Sequence, residues 1–146
     1  YPKPYDRAGV TRWINWCLDS YEKHGFGLWA LERKDTGEFI GDCGISMQNI
    51  DGEWLPEIGY HIHKAFGRQG YAKEAFAAVK DWFFENTDFD CVYSYMNQEN
   101  LPSWSTAASG GMTRIKAYED KDEALYVYAI TRSQWKEDKV RHEDRK

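Results

Sequence analysis

The chain has little of what would mark several protein classes. Its three cysteines, Cys17, Cys43 and Cys91, are scattered over 146 residues. They are too few and too far apart for a disulfide framework, and no metal-ligand spacing joins them, which favours a reducing cytoplasm. No apolar run approaches the length of a membrane span and no secretory leader is visible, so no membrane partner is expected. Basic charge is also short: 19 Lys and Arg against 24 Asp and Glu leave a formal net charge of −5. That balance argues against nucleic acid as a partner. Two phosphate-binding patterns are missing as well. There is no G-x-x-x-x-G-K-[ST], and no G-x-G-x-x-G with an acidic residue about 20 positions on.

What the chain does have is apolar and aromatic weight. Seven Trp, ten Tyr, seven Phe and 42% hydrophobic residues suffice for one domain with a sizeable core. Residues 1–146 are expected to form a single domain, with a charged, frayed tail from about Gln134 to Lys146.

The chain is organised around Glu57 to Trp82. Glu57 to Ile62 is rich in aromatic and β-branched residues and reads as a strand, with Ile58, Tyr60 and Ile62 on one face. Gly59 inside it is consistent with a bulge or a close backbone approach, the alternative being that it only relieves packing. Gly67 and Gly70 interrupt the pattern. From Tyr71 the period becomes helical: Ala72, Ala75, Phe76, Val79, Trp82 and Phe83 form one apolar stripe. A helix that begins straight after a glycine turn presents unpaired N–H groups and the positive end of its dipole. Lys64, Arg68 and Lys73 cluster there in an otherwise acidic chain. The turn is therefore either a plain strand–turn–helix connection or a phosphate site.

Before this stretch, Val10, Trp13, Ile14, Cys17, Leu18 and Tyr21 mark an amphipathic helix ending near His24-Gly25. Trp13 and Trp16 are both candidates for a substrate entrance, with core packing the favoured use of Trp13. Residues 27–32 and 38–45 read as a hairpin, and a turn at Asn49–Gly52 leads into the strand beginning near Trp54, which makes a three-strand meander. After the organising helix, residues 89–96 read as a strand parallel to its predecessor. A short helix follows, with Asn100 and Ser103 as start residues and Gly110-Gly111 as its stop. Residues 124–131 form a last strand, preceded by charged turn residues.

Two segments carry a resemblance. Gly67-Arg68-Gln69-Gly70-Tyr71-Ala72 resembles the acetyl-coenzyme A signature Q/R-x-x-G-x-G/A of the GNAT superfamily of N-acetyltransferases. Its flanks, Glu57-Ile58-Gly59-Tyr60 and Tyr71-Ala72-Lys73-Glu74-Ala75, look like the branch of ribosomal-protein alanine N-acetyltransferases. Asn100-x-x-Ser103, running on to Gly111-Met112, is similar to the family's second motif.

The resemblance implies an α/β (α+β) fold: a mixed central sheet with an antiparallel meander, splayed fourth and fifth family strands, and helices on both faces. It implies acetyl-coenzyme A as cosubstrate, no metal, and a small-molecule or peptide amine as acceptor, attacked directly in a ternary complex. Coenzyme A would lie against Tyr60 and Ile62 on the strand, on Gly67, Arg68, Gln69, Gly70, Tyr71, Ala72 and Lys73 at the turn, and on Asn100 and Ser103. Glu57 matches a family glutamate and is the candidate base, its alternative being a solvated strand end. Ser103 either faces the leaving sulfur or caps its helix, and Asn100 either holds pantetheine or shapes the turn.

Three departures stand out. Gly67 occupies the signature's first position, usually Gln or Arg, with Arg68 one place later. The family's first strand, upstream of the first helix, has no counterpart, so the expectation is either an exposed sheet edge, which makes a homodimer possible, or a chain truncated ahead of its first residue. Ala107 stands where many members carry a tyrosine acid; Tyr93, Tyr95 and Tyr126 are the alternatives. A noncatalytic acyl-coenzyme A binding module is the competing function. His61 and His63, two apart, lack a third ligand of metal-like spacing and read as structural or substrate-facing.

Overall fold

Two apolar periods, of two and of 3.6 residues, account for most of the elements. In the computed structural model, which describes residues 7–67 and 69–144, α1 (Arg7–His24) leads into β1 (Leu28–Glu32), β2 (Phe39–Ile50) and β3 (Glu53–Ile62). A 3-10 turn at Lys64–Phe66 precedes α2 (Tyr71–Asn86), then β4 (Cys91–Asn97) and α3 (Leu101–Ser109). Last come β5 (Thr113–Asp120), β6 (Glu123–Thr131) and α4 (Arg132–Asp144). Arg68 and the side chains of Val10 and Trp13 lie outside the described residues.

The six strands form one mixed sheet in the order β1-β2-β3-β4-β6-β5, in which β3 and β4 run parallel and the other neighbours antiparallel. Alternation divides the two faces. Cys43, Ile45, Ile58, Val92 and Ile130 are fully buried on one face, against Phe76 and Phe83 of α2. Burying such a side chain contributes roughly 1.5–3 kcal/mol. The opposite face carries Leu28, Ser46, Gln48 and Glu57, and shares a cleft with Arg12 and Trp16 of α1. Helices thus cover both faces, as the resemblance implies.

Several expectations need correction. The register of β2 against β3 is continuous from Gly41↔Ile62 to Ile50↔Glu53, so Gly59 makes no bulge there. The charged turn before the last strand is present at Lys121-Asp122, but the residues ahead of it form a further strand, β5, and the tail is a helix, α4. Along α1, Ile14 and Leu18 are exposed; the buried side runs through Cys17 and Ser20.

Among the described residues β1 has a strand partner on one side only. Part of its free edge is met by α1: the Tyr21 hydroxyl donates to the Leu28 carbonyl, and Ser20 Oγ donates to the Phe26 carbonyl at 2.7 Å.

Candidate active site

The two parallel strands at the middle of the sheet meet through one registered pair, Glu57↔Tyr93. Beyond it they diverge. The His63 N–H donates to the Ile40 carbonyl at 2.8 Å, so the odd-numbered residues of β3 aim their backbone groups at β2. The even-numbered Ile58, Tyr60 and Ile62 therefore aim theirs at the β4 side. Ser94 Oγ reaches the Ile58 carbonyl at 3.4 Å, as this orientation requires. The N–H groups of Tyr60 and Ile62 face the widening gap, where no strand partner meets them among the described residues.

A cleft of about 730 Å3 occupies this gap. Ser46, Gln48, Glu57 and Tyr95 line it on the α1 face; Asn100, Pro102 and Ser103 line it on the α3 face. It therefore passes through the sheet. Of the candidates drawn from the sequence, it brings together Glu57, Tyr60, Asn100 and Ser103. Ile62, Gly67, Gln69, Gly70, Tyr71, Ala72 and Lys73 lie further along β3 and the turn, outside its lining.

Glu57 is the buried acid of the cleft. Although some of its side chain reaches the cleft surface, burial pushes its carboxyl up to about 8, against the lowering pull of the Tyr95 amide and the Ser94 hydroxyl. The Tyr95 N–H donates to Glu57 Oε2 at 3.3 Å. A carboxyl tuned into this range can exchange a proton near neutral pH.

Asn100 caps α3, its Oδ1 accepting from the Ser103 N–H at 3.2 Å. Ser103 is thus inside the first turn rather than the cap, and its hydroxyl has no partner among the described residues. Ala107 is fully buried in the core and does not line the cleft. Of the three alternative tyrosines, Tyr95 alone lines it. Burial pushes the Tyr93 hydroxyl up to about 12, and Tyr126 lies beneath the Arg114 guanidinium at 3.6 Å. Cys43 is fully buried, its thiol pushed up to about 12 by burial, and is no nucleophile. His61 Nδ1 sits 2.9 Å from Asp42 Oδ1, across the β2–β3 ladder.

The turn before α2 has the form expected of an open helix start. Gly70 is left-handed, with φ 82°, and makes no side-chain cap. A Cβ there would meet nothing within 4 Å. The Gln69 amide turns back to the Ala65 carbonyl at 3.4 Å, and the Tyr71 ring packs edge-on to Phe66 at 6.5 Å. Lys64 and Lys73 are exposed.

Reading the sequence overlooked Arg12, Ser46, Gln48 and Ser94 as cleft residues. One signal was available for two of them. Ser46 and Gln48 alternate with Cys43, Ile45 and Met47, a polar face on a strand that has neighbours on both sides.

The profile of a known family, described as an acetyltransferase (GNAT) domain, matches residues 1–113. The chain is 32% identical over 123 residues to the uncharacterized protein YkkB of Bacillus subtilis (strain 168), a match covering 84% of this chain and 72% of that one. It is 26% identical over 140 residues to the FsC-acetyl coenzyme A-N(2)-transacetylase of Aspergillus fumigatus, covering 86% of this chain but 58% of the relative. The ribosomal-protein-S5-alanine acetyltransferase from Vibrio fischeri is similar in fold, with a TM-score of 0.73 over 91% of this chain and 79% of that one, at 13% identity. With a family match over most of its length and a sheet that opens between its two parallel strands, the chain belongs to the GNAT acetyltransferase family.

Proposed function

We propose that the chain is an acetyl-coenzyme A dependent N-acetyltransferase that acts on a primary amine, a protein N-terminus or a small amine, in a ternary complex. One observation carries this reading: a cleft through the sheet with a buried, near-neutral carboxyl on one face and the free Ser103 hydroxyl on the other. The name of the Aspergillus relative, an acetyl coenzyme A N-transacetylase, supports it.

Acetyl-coenzyme A would supply the activated acetyl group. The open turn at Gly70, with Lys64 and Lys73 beside it, suits its phosphates. The N–H groups of Tyr60 and Ile62, facing the gap, can hold its amide-bearing arm, and that of Ile62 can polarise the thioester carbonyl. Glu57 takes the proton that the acceptor amine must lose, since such an amine has a pKa of about 10.4 in water. The Ser103 hydroxyl is placed to hydrogen-bond the departing sulfur. Free thiols and a thioester cosubstrate suit the cytoplasm; among the described residues no helix is long and apolar enough to cross a membrane.

Calorimetric titration with acetyl-coenzyme A, followed by thiol release with a panel of amines and peptides, tests the proposal. Binding with amine-dependent release is expected. Binding without release would favour a noncatalytic acyl-coenzyme A module, the reading that the buried Ala107 supports. No binding overturns both.

A further inference from the structure

Gln48 on β2 and Tyr95 on β4 reach toward each other across β3, the strand that carries Glu57. The Tyr95 hydroxyl donates to Gln48 Oε1 at 3.3 Å, and Gln48 Nε2 donates to Ser46 Oγ at 2.9 Å. Ser46 stands directly opposite Glu57 in the β2–β3 register. The four side chains all line the α1 face of the cleft, with the Tyr95 amide tied to the Glu57 carboxylate.

Hydrogen-bond bookkeeping gives this chain a direction. Ser46 takes an amide proton of Gln48, so the Gln48 carbonyl is turned to Tyr95 and takes the phenolic proton. A tyrosine whose proton is committed this way still has oxygen lone pairs to offer. It also lies on the face opposite Ser103. We propose that Gln48 and Tyr95 build the seat for the acceptor's ammonium group, in which the Tyr95 oxygen and the Glu57 carboxylate accept hydrogen bonds from one primary ammonium and Gln48 holds the Tyr95 hydroxyl in that orientation. This deepens the acetyl-transfer reading and rests on it. It makes Tyr95 a substrate-binding group instead of the proton donor to sulfur, and Gln48 a positioning residue.

The seat also selects. A primary ammonium has three N–H donors, enough for two acceptors and a third contact, while an N-methylated amine has one fewer and a bulkier head. Discrimination of tenfold or more against the N-methyl compound is expected, because both of its N–H groups must be spent on the two acceptors and its methyl is then forced into the place of the third N–H, where it makes no hydrogen bond and needs more room.

The test reads amine binding without turnover. The Glu57 carboxyl is followed by carbon NMR on glutamate-labelled protein during titration with n-butylamine and with N-methylbutylamine. The other ionisable side chains that line the cleft are Arg12, Tyr60, His61 and Tyr95, and none carries a glutamate signal. n-Butylamine should lower the apparent Glu57 pKa in the wild type and bind at least tenfold tighter than its N-methyl analogue. Gln48→Leu and Tyr95→Phe should each weaken n-butylamine tenfold or more with acetyl-coenzyme A affinity unchanged. Gln48→Glu, which keeps an acceptor for the phenol, should restore most of the loss. Wild-type amine affinity in both Gln48→Leu and Tyr95→Phe overturns the seat, as does equal affinity for the two amines. Failure of acetyl-coenzyme A to bind while these amine results hold would strike the acetyl-transfer reading and leave the seat standing.

Discussion

Glu57 and Tyr93 are the registered pair through which β3 and β4 meet, and the cleft opens immediately beyond them. The two ladders that flank them have no such break: β3 stays in register with β2 to Ile62, and β4 with β6 to Asn97. Because the sheet parts only on this side, the glutamate at the fork is both buried and within reach of whatever enters. Its position in the ladder and its altered acidity are one fact.

Replacing Glu57 with Gln tests the base directly. Removal of a positioned general base costs about 10²–10⁴ in rate. We expect kcat to fall at least 100-fold with acetyl-coenzyme A affinity within threefold of wild type. For the wild type, log kcat/KM should rise with pH and level off near the Glu57 value of about 8. A profile that is flat from pH 6 to 9, or a Gln variant that retains full turnover, refutes the assignment.

The same shift predicts a stability change of definite sign. Folded Glu57, raised to about 8 from 4.5, binds its proton more tightly than the unfolded chain does. Its contribution is therefore complete below the unfolded value and is lost as pH rises through the folded one. From about pH 5 to 8 the wild type should lose stability relative to Glu57→Gln, by roughly 2–4 kcal/mol. Urea denaturation of both proteins at pH 5 and pH 8 measures it; parallel pH dependence would contradict the shift.

How much of this could be read from the sequence depended on whether each element carried its own signal. The α2 stripe did: Phe76, Val79 and Phe83 are buried as the period requires. The Asp51-Gly52 turn did too, since φ is 51° and 85° there and glycine favours that region. The same geometry recurs at Lys121 and Asp122, φ 49° and 66°, with no glycine or asparagine to announce it, and β5 went unnoticed. That strand is an edge, mostly exposed, so its residues are polar without penalty. Helix α4 buries no residue fully and has no stripe to find. Its start was legible after all: Thr131 Oγ1 accepts from the Gln134 N–H at 3.2 Å, and Gln134 Oε1 accepts from the Thr131 N–H at 2.9 Å, a capping box. At the site, Glu57 and Ser103 came from motif positions. Gln48 did not, because its role depends on Tyr95, 47 positions away.

The helix that sequence reading took for a frayed tail should matter for stability. Arg132, at its first turn, donates to the carbonyls of Phe84, Thr87 and Phe89, closing the end of α2. Arg132→Ala leaves these acceptors to water and removes a charge-assisted cluster. We expect a loss of roughly 1.5–3 kcal/mol in urea unfolding. A loss below about 0.5 kcal/mol, the range of ordinary surface substitutions, would show that α4 is not anchored this way.

The turn before α2 gives a prediction with a steric control. Gly70 has φ 82°, so a β-branched residue is strained there although a Cβ has open space. Gly70→Val should cost roughly 1–3 kcal/mol in stability. It should also weaken acetyl-coenzyme A at least tenfold by occupying the approach to the α2 N-terminus. Gly70→Asn tolerates the left-handed backbone and should recover the stability but not the full affinity. If Gly70→Val binds as the wild type does, the turn is not the phosphate site.

Gly59 offers the converse case, a glycine in extended backbone whose side-chain space is the cleft itself. A Cβ there would approach Glu57 Oε1 at 3.3 Å and nothing else within 4 Å. The backbone has no need of glycine, so Gly59→Ala should fold with a stability change within about 1 kcal/mol. The added methyl instead presses on the carboxyl and narrows the floor between Glu57 and His61, both of which line the cleft. We expect KM for the acceptor to rise several-fold in Gly59→Ala and turnover to be lost in Gly59→Val, with acetyl-coenzyme A affinity nearly constant because the methyl points to the α1 face. Steady-state kinetics against both substrates separates the two effects. An unchanged acceptor KM in Gly59→Ala, together with an active Gly59→Val, would mean that the acceptor does not pass over this floor.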